Sequence, residues 1–169
     1  MFPFKVFGSP PFPLHTAITA KSRFSKLYHR LLKDADAALE SRIESVVEKT
    51  SWPSFASLNV SAHDYVSRAP YFWPDERNPG GPYIRRDGEK NPESVLNTDL
   101  KVWERACKHI YSLALGFYVS RDDAYARRCI ETITAWVVAE ETRMNPHFTY
   151  AQSVVGVNDG RPFGILEGH

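Results

Sequence analysis

Apolar residues recur along three stretches of the chain at the spacing of an α-helix, with charged residues between them. The first stretch runs from residue 21 to residue 49, and its apolar positions are Phe24, Leu27, Leu31, Ala35, Ala38, Leu39, Ile43 and Val46. Recurrence every three or four residues places these side chains on one face of a helix. The pattern therefore predicts one long helix over this stretch.

The other two helical stretches follow each other closely in the second half of the chain. One begins near Thr98 and reaches about Val119. The next starts after Ser120, which together with Asp123 matches the capping signature of a helix start, and continues to about Thr142. Because so few residues separate them, we expect the two helices to pack as an antiparallel hairpin.

Between residues 51 and 97 the helical spacing disappears. Prolines at positions 53, 70, 74, 79, 82 and 92, together with Gly80 and Gly81, exclude any long regular element there. The same stretch is rich in aromatic residues, which argue against disorder. We therefore expect a long ordered loop, and a second irregular stretch from residue 145 to residue 164.

The long loop mixes rigid rings with charged groups in residues 69–75 and 81–88. Aromatic rings stack on the apolar faces of sugars, while arginine and aspartate side chains hydrogen-bond to hydroxyls or carboxylates at the ring edges. The mixture favours glycan binding. The alternative is that the rings only attach a long loop to the helices.

A second polar segment follows the third helix. Residues 145–152 and 158–161 concentrate Asn, His, Tyr, Gln, Asp and Arg side chains, which supply hydrogen-bond donors, acceptors and one group that titrates near neutrality. This composition suits a polar site. Taken alone, however, His147 is more often a structural hydrogen-bond donor, and Asn158 with Asp159 can simply shape a turn.

Charge and motif content exclude several classes of protein. The chain has 21 basic and 20 acidic side chains, so bulk electrostatics does not favour a nucleic-acid or anionic-membrane partner. The histidines and the two cysteines lack metal-ligand spacing, and the sequence contains neither a glycine-rich phosphate loop nor a nucleophile elbow. We therefore expect no metal, no cofactor, no nucleic acid and no membrane partner, while the oligomeric state stays open.

The two polar segments resemble those of the alginate lyase family of polysaccharide lyases. The resemblance covers roughly residues 25 to 166 and is carried by motifs in the family's order: His63-Asp64-Tyr65 and residues 69–75, 82–88, 144–152 and 156–164. It implies an all-α fold, namely an incomplete toroid of antiparallel helical hairpins of the (α/α) type with long ordered loops. It also implies an acidic polysaccharide substrate, cleaved by β-elimination without a metal.

The chemistry of β-elimination explains the residue types in these segments. An amide, imidazole or guanidinium group binds the uronate carboxylate and so acidifies the neighbouring C5 proton, which a tyrosine or histidine removes. The resemblance makes the catalytic candidates Asn145, His147, Tyr150 and Arg161. The corresponding substrate-binding candidates are Tyr71, Trp73, Tyr83, Arg86, Gln152 and Asn158.

The chain departs from the family at its end. Members usually carry a further Asn-Asn-His segment, followed by an Arg and a Tyr, whereas this chain contains no Asn-His dipeptide. We therefore expect residues 1–20 to form an N-terminal extension and residues 21–169 an alginate-lyase-like domain that is truncated at the C-terminus, which leaves open whether the chain is active. Two alternatives to an enzyme are a noncatalytic glycan-binding remnant and a helical interaction module. The family is usually secreted or periplasmic, although residues 1–13 make a poor signal peptide.

Overall fold

The computed structural model of the protein describes residues 25–49 and 60–160. The α-helices in these residues are α1 (Ser25–Glu40), α2 (Leu100–Ser120) and α3 (Asp123–Ile133). The strands are β1 (Val66–Arg68), β2 (Phe72–Trp73), β3 (Ile84–Arg85) and β4 (Tyr150–Ser153). Shorter helical turns are Val46–Glu48, Pro92–Val95, Thr134–Val138 and Asn158–Gly160.

The expected all-α toroid of helical hairpins is wrong. Strand β1 pairs with β4 in a parallel sheet, and β2 pairs with β3 in an antiparallel sheet, so the chain combines helices with two small sheets. These strands have only two to four residues. Elements this short are at or below the shortest length at which alternation of apolar and polar residues identifies a strand, and periodicity alone therefore misses them.

The described residues divide into two compact units. One consists of residues 25–41 and 109–129, and the other of residues 42–49, 60–108 and 130–160. The candidate site residues that the structure describes all belong to the second unit. The predicted extension at residues 1–20, and the segment after residue 160, lie outside the described residues.

Helix α1 is shorter than predicted, because it ends at Glu40 instead of continuing to residue 49. Its buried face carries Ala35 and Ala38, which pack against Leu113 of α2. The close approach depends on small side chains, since a Cβ atom added at Gly116 would lie 2.7 Å from the Cβ atom of Ala35. The core of the first unit is therefore built where α1 and α2 carry their smallest residues.

Helix α2 confirms its prediction to within about two residues, whereas α3 begins and ends differently from its prediction. Ser120 is the last residue of α2, where its hydroxyl donates to the carbonyl of Gly116. The carboxylate of Asp122 accepts the N–H of Ala124 at 2.9 Å and so caps α3 in place of Ser120. The helix then ends at Ile133 and passes into a π-helical turn that stops at Val138, before the predicted end at Thr142.

The core of the second unit is centred on Trp136, which is 1% exposed. Val46 and Ala106 pack against it, and the ring of Trp103 lies edge-on at 5.1 Å between centroids. Val46 thus has the buried position that the helical pattern predicted. It reaches that position from a short 3₁₀ turn, which the side chain of Glu48 stabilises by accepting the N–H of Ser45.

Candidate functional site

Two polar segments meet because the strands that follow them are parallel neighbours. Strand β1 begins at Val66 and β4 begins at Tyr150, and these two residues are partners in the ladder. Parallel strands start at the same edge of a sheet, so the residues just before them, 61–64 and 145–149, lie together. A backbone hydrogen bond of 2.9 Å from Asn145 to the carbonyl of His63 joins the segments.

The carboxylate of Asp64 lies at the centre of this polar cluster and is 5% exposed. Its Oδ2 atom accepts the backbone N–H of Ser61 at 2.8 Å. Its Oδ1 atom accepts the side-chain amide of Asn145 at 2.7 Å and lies 3.2 Å from Nε2 of His147. Asp64 therefore links the segment before β1 to the segment before β4.

The imidazole of His147 has a partner at each ring nitrogen. Nε2 faces Asp64, and Nδ1 lies 3.4 Å from the backbone N–H of Thr149. With 42% of its side chain exposed, the ring is held at one side and open to solvent at the other. The neighbouring His63 has a structural contact of its own, because its Nδ1 atom lies 2.6 Å from the carbonyl of Arg143.

Tyr150 is buried, with 6% of its surface exposed. It packs against Val66, with Val60 and Val155 beside it, and its ring centroid lies 6.5 Å from that of His147. The structure therefore brings the predicted site residues Asn145, His147 and Tyr150 together and places Tyr150 in the apolar part of the cluster.

A buried ion pair between Lys49 and Asp99 lies next to the polar cluster and contacts its backbone. Nζ of Lys49 lies 3.1 Å from Oδ2 of Asp99 and donates to the carbonyls of Val46, Ala62 and Asp64 at 2.7 to 3.0 Å. Burial lowers the pKa of Lys49 and raises that of Asp99, and each charge partly opposes the shift of the other. Asp99 also accepts the N–H of Val66 at 2.9 Å, which ties β1 to the start of α2.

The ion pair forms part of the wall of a cavity of about 220 Å³. Other residues around the cavity are Arg42, Glu44, Ser45, Glu48, Asn97, Thr98 and Val102. Most of these charges already have partners, since Glu44 binds Arg105 at 2.8 Å and Glu48 binds Arg42. The cavity walls are therefore an internally neutralised charge network.

The first candidate segment forms a hairpin with a mixed aromatic and cationic face. In the ladder of β2 and β3, Trp73 stands opposite Ile84, and the N–H of Arg86 donates to the carbonyl of Tyr71 at 2.8 Å. Residues opposite each other share a face, as do residues two apart on one strand. Tyr71, Trp73, Ile84 and Arg86 therefore form one surface, which we call the hairpin face.

The guanidinium group of Arg86 lies over the indole of Trp73, 5.4 Å from the ring centroid. The indole N–H donates to the carbonyl of Glu89 at 2.9 Å, which fixes the plane of the ring. Arg86 is also 3.7 Å from the carboxylate of Glu76, whose side chain is 88% exposed. Three predicted residues, Tyr71, Trp73 and Arg86, are thus brought together.

Tyr83 and Gln152 lie away from the hairpin face. Tyr83 lines a small recess with Phe72, and its N–H donates to the carbonyl of Val155 at 2.9 Å. Gln152 has a left-handed backbone with φ of 51°, and its N–H donates to the hydroxyl of Ser67. Tyr83 thus connects the hairpin to the residues that follow β4, whereas Gln152 joins β4 to β1.

Asn158 and Arg161 complete the set of predicted site residues. Asn158 is exposed and begins a short 3₁₀ turn, with φ of 46°. Arg161 lies outside the described residues. The turn is consistent with the alternative reading of Asn158 as a residue that shapes the backbone.

Sequence reasoning missed the roles of Asp64, Lys49 and Asp99. Asp64 stood within a recognised motif, but an aspartate beside a histidine carries no pattern that predicts a contact 81 residues away with Asn145. The signal that could have predicted the contact is that two polar segments each come directly before a short run of β-prone residues. Because neither strand was predicted, that signal could not be read.

In the described ranges no group of three or more His, Cys, Asp or Glu side chains is placed to hold a metal ion. No helix in this part of the chain is long and apolar enough to cross a membrane.

The sequence model of the alginate lyase family matches residues 52–169, and the chain belongs to this family. Among solved structures, it is similar to the crystal structure of an alginate lyase from Bacteroides ovatus at 1.60 Å resolution, with 36% sequence identity and a TM-score of 0.77. The match covers 90% of this chain and 40% of that one, so the chain spans less than half of its relative's length. No curated protein matches the chain.

Proposed function

We propose that the protein takes part in the β-elimination of a uronate-containing polysaccharide such as alginate. The observation that carries this proposal is the hairpin face, where the guanidinium group of Arg86 lies over the ring of Trp73 and Tyr71 belongs to the same face. Aromatic rings stack on sugar faces, and a guanidinium group binds a carboxylate through two parallel hydrogen bonds. A polymer of acidic sugars presents both features in every residue.

Arg86 is available for such a carboxylate. Its contact with Glu76 is long, at 3.7 Å, and Glu76 is almost fully exposed. An exposed ion pair of this kind contributes at most about 1 kcal/mol, so a uronate carboxylate can replace Glu76 at little cost. The ring of Trp73, over which the guanidinium group lies, would keep that group in place.

Proton transfer is assigned to the polar cluster. In this proposal His147 removes the C5 proton, the electron pair of that bond forms the C4–C5 double bond, and the C4–O bond breaks. Tyr150 gives its hydroxyl proton to the departing oxygen and later regains a proton from His147 through solvent. Asn145 and Arg161 would bind the carboxylate of the reacting uronate, with Gln152, Asn158 and Tyr83 as further substrate contacts.

A noncatalytic glycan-binding protein is the second candidate. The burial of Tyr150 favours it, because a proton donor must reach the glycosidic oxygen and this residue is 6% exposed. The two candidates share the hairpin face and differ only in turnover.

Ultraviolet absorbance during incubation with alginate, and with a panel of other polyuronates, separates the candidates, because β-elimination creates a conjugated double bond. We expect absorbance to rise with the unaltered protein and to stay flat with Tyr150→Phe. Binding without any rise would support the second candidate. If the protein neither bound the polymer nor produced a rise in absorbance, both candidates would be contradicted.

The hairpin face is tested by Trp73→Ala, which should weaken polymer binding about tenfold, equivalent to about 1.4 kcal/mol. The matched control is Tyr111→Ala, which removes a ring that is 66% exposed on helix α2. Equal affinity of the Trp73 variant and the unaltered protein would show that the indole only supports the loop.

A further inference from the structure

We infer that Asp64 is a positioning residue, which fixes the tautomer of His147 and leaves Nδ1 of that ring as its proton-accepting nitrogen. The inference rests on the proposed function in one respect, namely that His147 removes a proton. The contacts that support the inference are those of the imidazole ring of His147, and they do not depend on that function.

The first step is the identity of the group that faces Nε2. A carboxylate has only acceptor atoms, and Oδ1 of Asp64 lies 3.2 Å from Nε2 of His147. Nε2 must therefore carry a hydrogen for the contact to be favourable. Asp64 cannot turn away easily, because Ser61 and Asn145 donate to its two oxygens at 2.8 and 2.7 Å.

The second step is the group that faces Nδ1. The backbone N–H of Thr149 points at this nitrogen across 3.4 Å, and a donor faces a nitrogen that has a lone pair. Both neighbours of the ring thus select the same neutral tautomer, with hydrogen on Nε2 and the lone pair on Nδ1. Nδ1 has a single lone pair, and its contact with Thr149 is at the long limit of a hydrogen bond, so a ligand proton can displace Thr149 from that lone pair at little cost.

The third step is the direction of the ring. Asp64 is 5% exposed and His147 is 42% exposed, so the carboxylate holds the imidazole from the protein side. A buried carboxylate that fixes the tautomer and stabilises the imidazolium formed in the reaction is the arrangement by which enzymes prepare a histidine base. Loss of the carboxylate should therefore change the tautomer and lower turnover, while polymer binding at the hairpin face stays the same.

The tautomer is measured directly by proton–nitrogen correlation NMR of the imidazole groups in the full chain, with the signals of His147 identified by their loss in His147→Gln. We expect the unaltered protein to show hydrogen on Nε2, and Asp64→Asn to show a mixture of the two tautomers. Hydrogen on Nδ1 in the unaltered protein would overturn the inference. This measurement on the unaltered chain decides the point even if an Asp64 variant does not fold.

Kinetics supply the second measurement. In a protein that turns over polyuronate, Asp64→Asn should lower kcat by about a hundredfold and leave KM nearly unchanged. The matched control is Asp34→Asn, which removes an exposed carboxylate on helix α1 and should change neither value. An unchanged tautomer in Asp64→Asn, or an unchanged kcat, would refute the positioning role. Absence of turnover in the unaltered chain would instead count against the proposed function, while the NMR result still tests how Asp64 controls the ring.

Discussion

Replacing Lys49 with methionine removes the cation that lies 3.1 Å from Asp99, and it removes a donor to the backbone carbonyls of Val46, Ala62 and Asp64. At this distance and an effective dielectric constant of about 20, the attraction between the two charges is about 5 kcal/mol. Desolvation of both groups cancels much of that energy in the intact protein. In the variant the cost of desolvating Asp99 is no longer offset by this attraction, because the side chain of Asp99, which is 5% exposed, stays buried without its cation.

Breaking a buried pair in this way typically costs about 3–5 kcal/mol. That is a large part of the total stability of a domain, about 5–15 kcal/mol. We therefore expect Lys49→Met to lower the free energy of unfolding, measured by urea denaturation, by about 3–5 kcal/mol. The double variant Lys49→Met with Asp99→Asn should recover part of this loss, because the unpaired charge is gone.

The matched control is Lys101→Met. Lys101 pairs with Glu104 at 2.8 Å, but both side chains are about half exposed, so the loss should be at most about 1 kcal/mol. If Lys49→Met cost no more than Lys101→Met, the ion pair would not anchor the polar cluster, and the reasoning from burial would be refuted.

Two further predictions concern stability. Tyr125 donates its hydroxyl to Asp36, and this hydrogen bond, with burial, raises the pKa of Tyr125 from 10.0 to about 12. Because the pKa of Tyr125 is higher in the folded than in the unfolded state, the hydrogen bond stabilises the fold below pH 10, and this stabilisation is lost between pH 10 and about pH 12. Tyr125→Phe should therefore flatten the dependence of the unfolding free energy on pH in this range. An identical pH dependence in urea titrations of both proteins would contradict the prediction. Gly156→Ala should destabilise the protein by about 1–3 kcal/mol more than Gly80→Ala, as measured by thermal unfolding. Both glycines have positive φ, but of the two only Gly156 has backbone in the way of a Cβ atom, which would lie 2.8 Å from Cα of Pro82. Equal losses would show that the loop moves to make room.

The helices could be read from the sequence wherever their apolar spacing was continuous. Helix α2 was predicted correctly because a regular apolar pattern over 21 residues leaves little choice. Helix α1 was predicted too long because Ile43 and Val46 continue its spacing. The burial of Val46 comes from a different local structure, and spacing alone cannot distinguish the two.

The hairpin face was only half predictable. The sequence indicated that Tyr71, Trp73 and Arg86 suit sugar binding, but not that they share a surface from which Tyr83 is turned away. That separation follows from the register in which Trp73 stands opposite Ile84, and the residue pattern of such short strands does not specify the register. Burial of Tyr150 has the same origin, because it depends on pairing with Val66.

The long separation in sequence between β1 and β4 also has a consequence for how the polar cluster forms during folding. Asp64 and Asn145 are 81 residues apart, and no local turn can bring them together. Contacts that close so large a loop form only after much of the chain entropy has been lost, so they are expected late in folding. During synthesis on the ribosome, β1 therefore cannot pair with β4 until residues 150–153 have been made. Until then, the carboxylate that later holds the imidazole faces water.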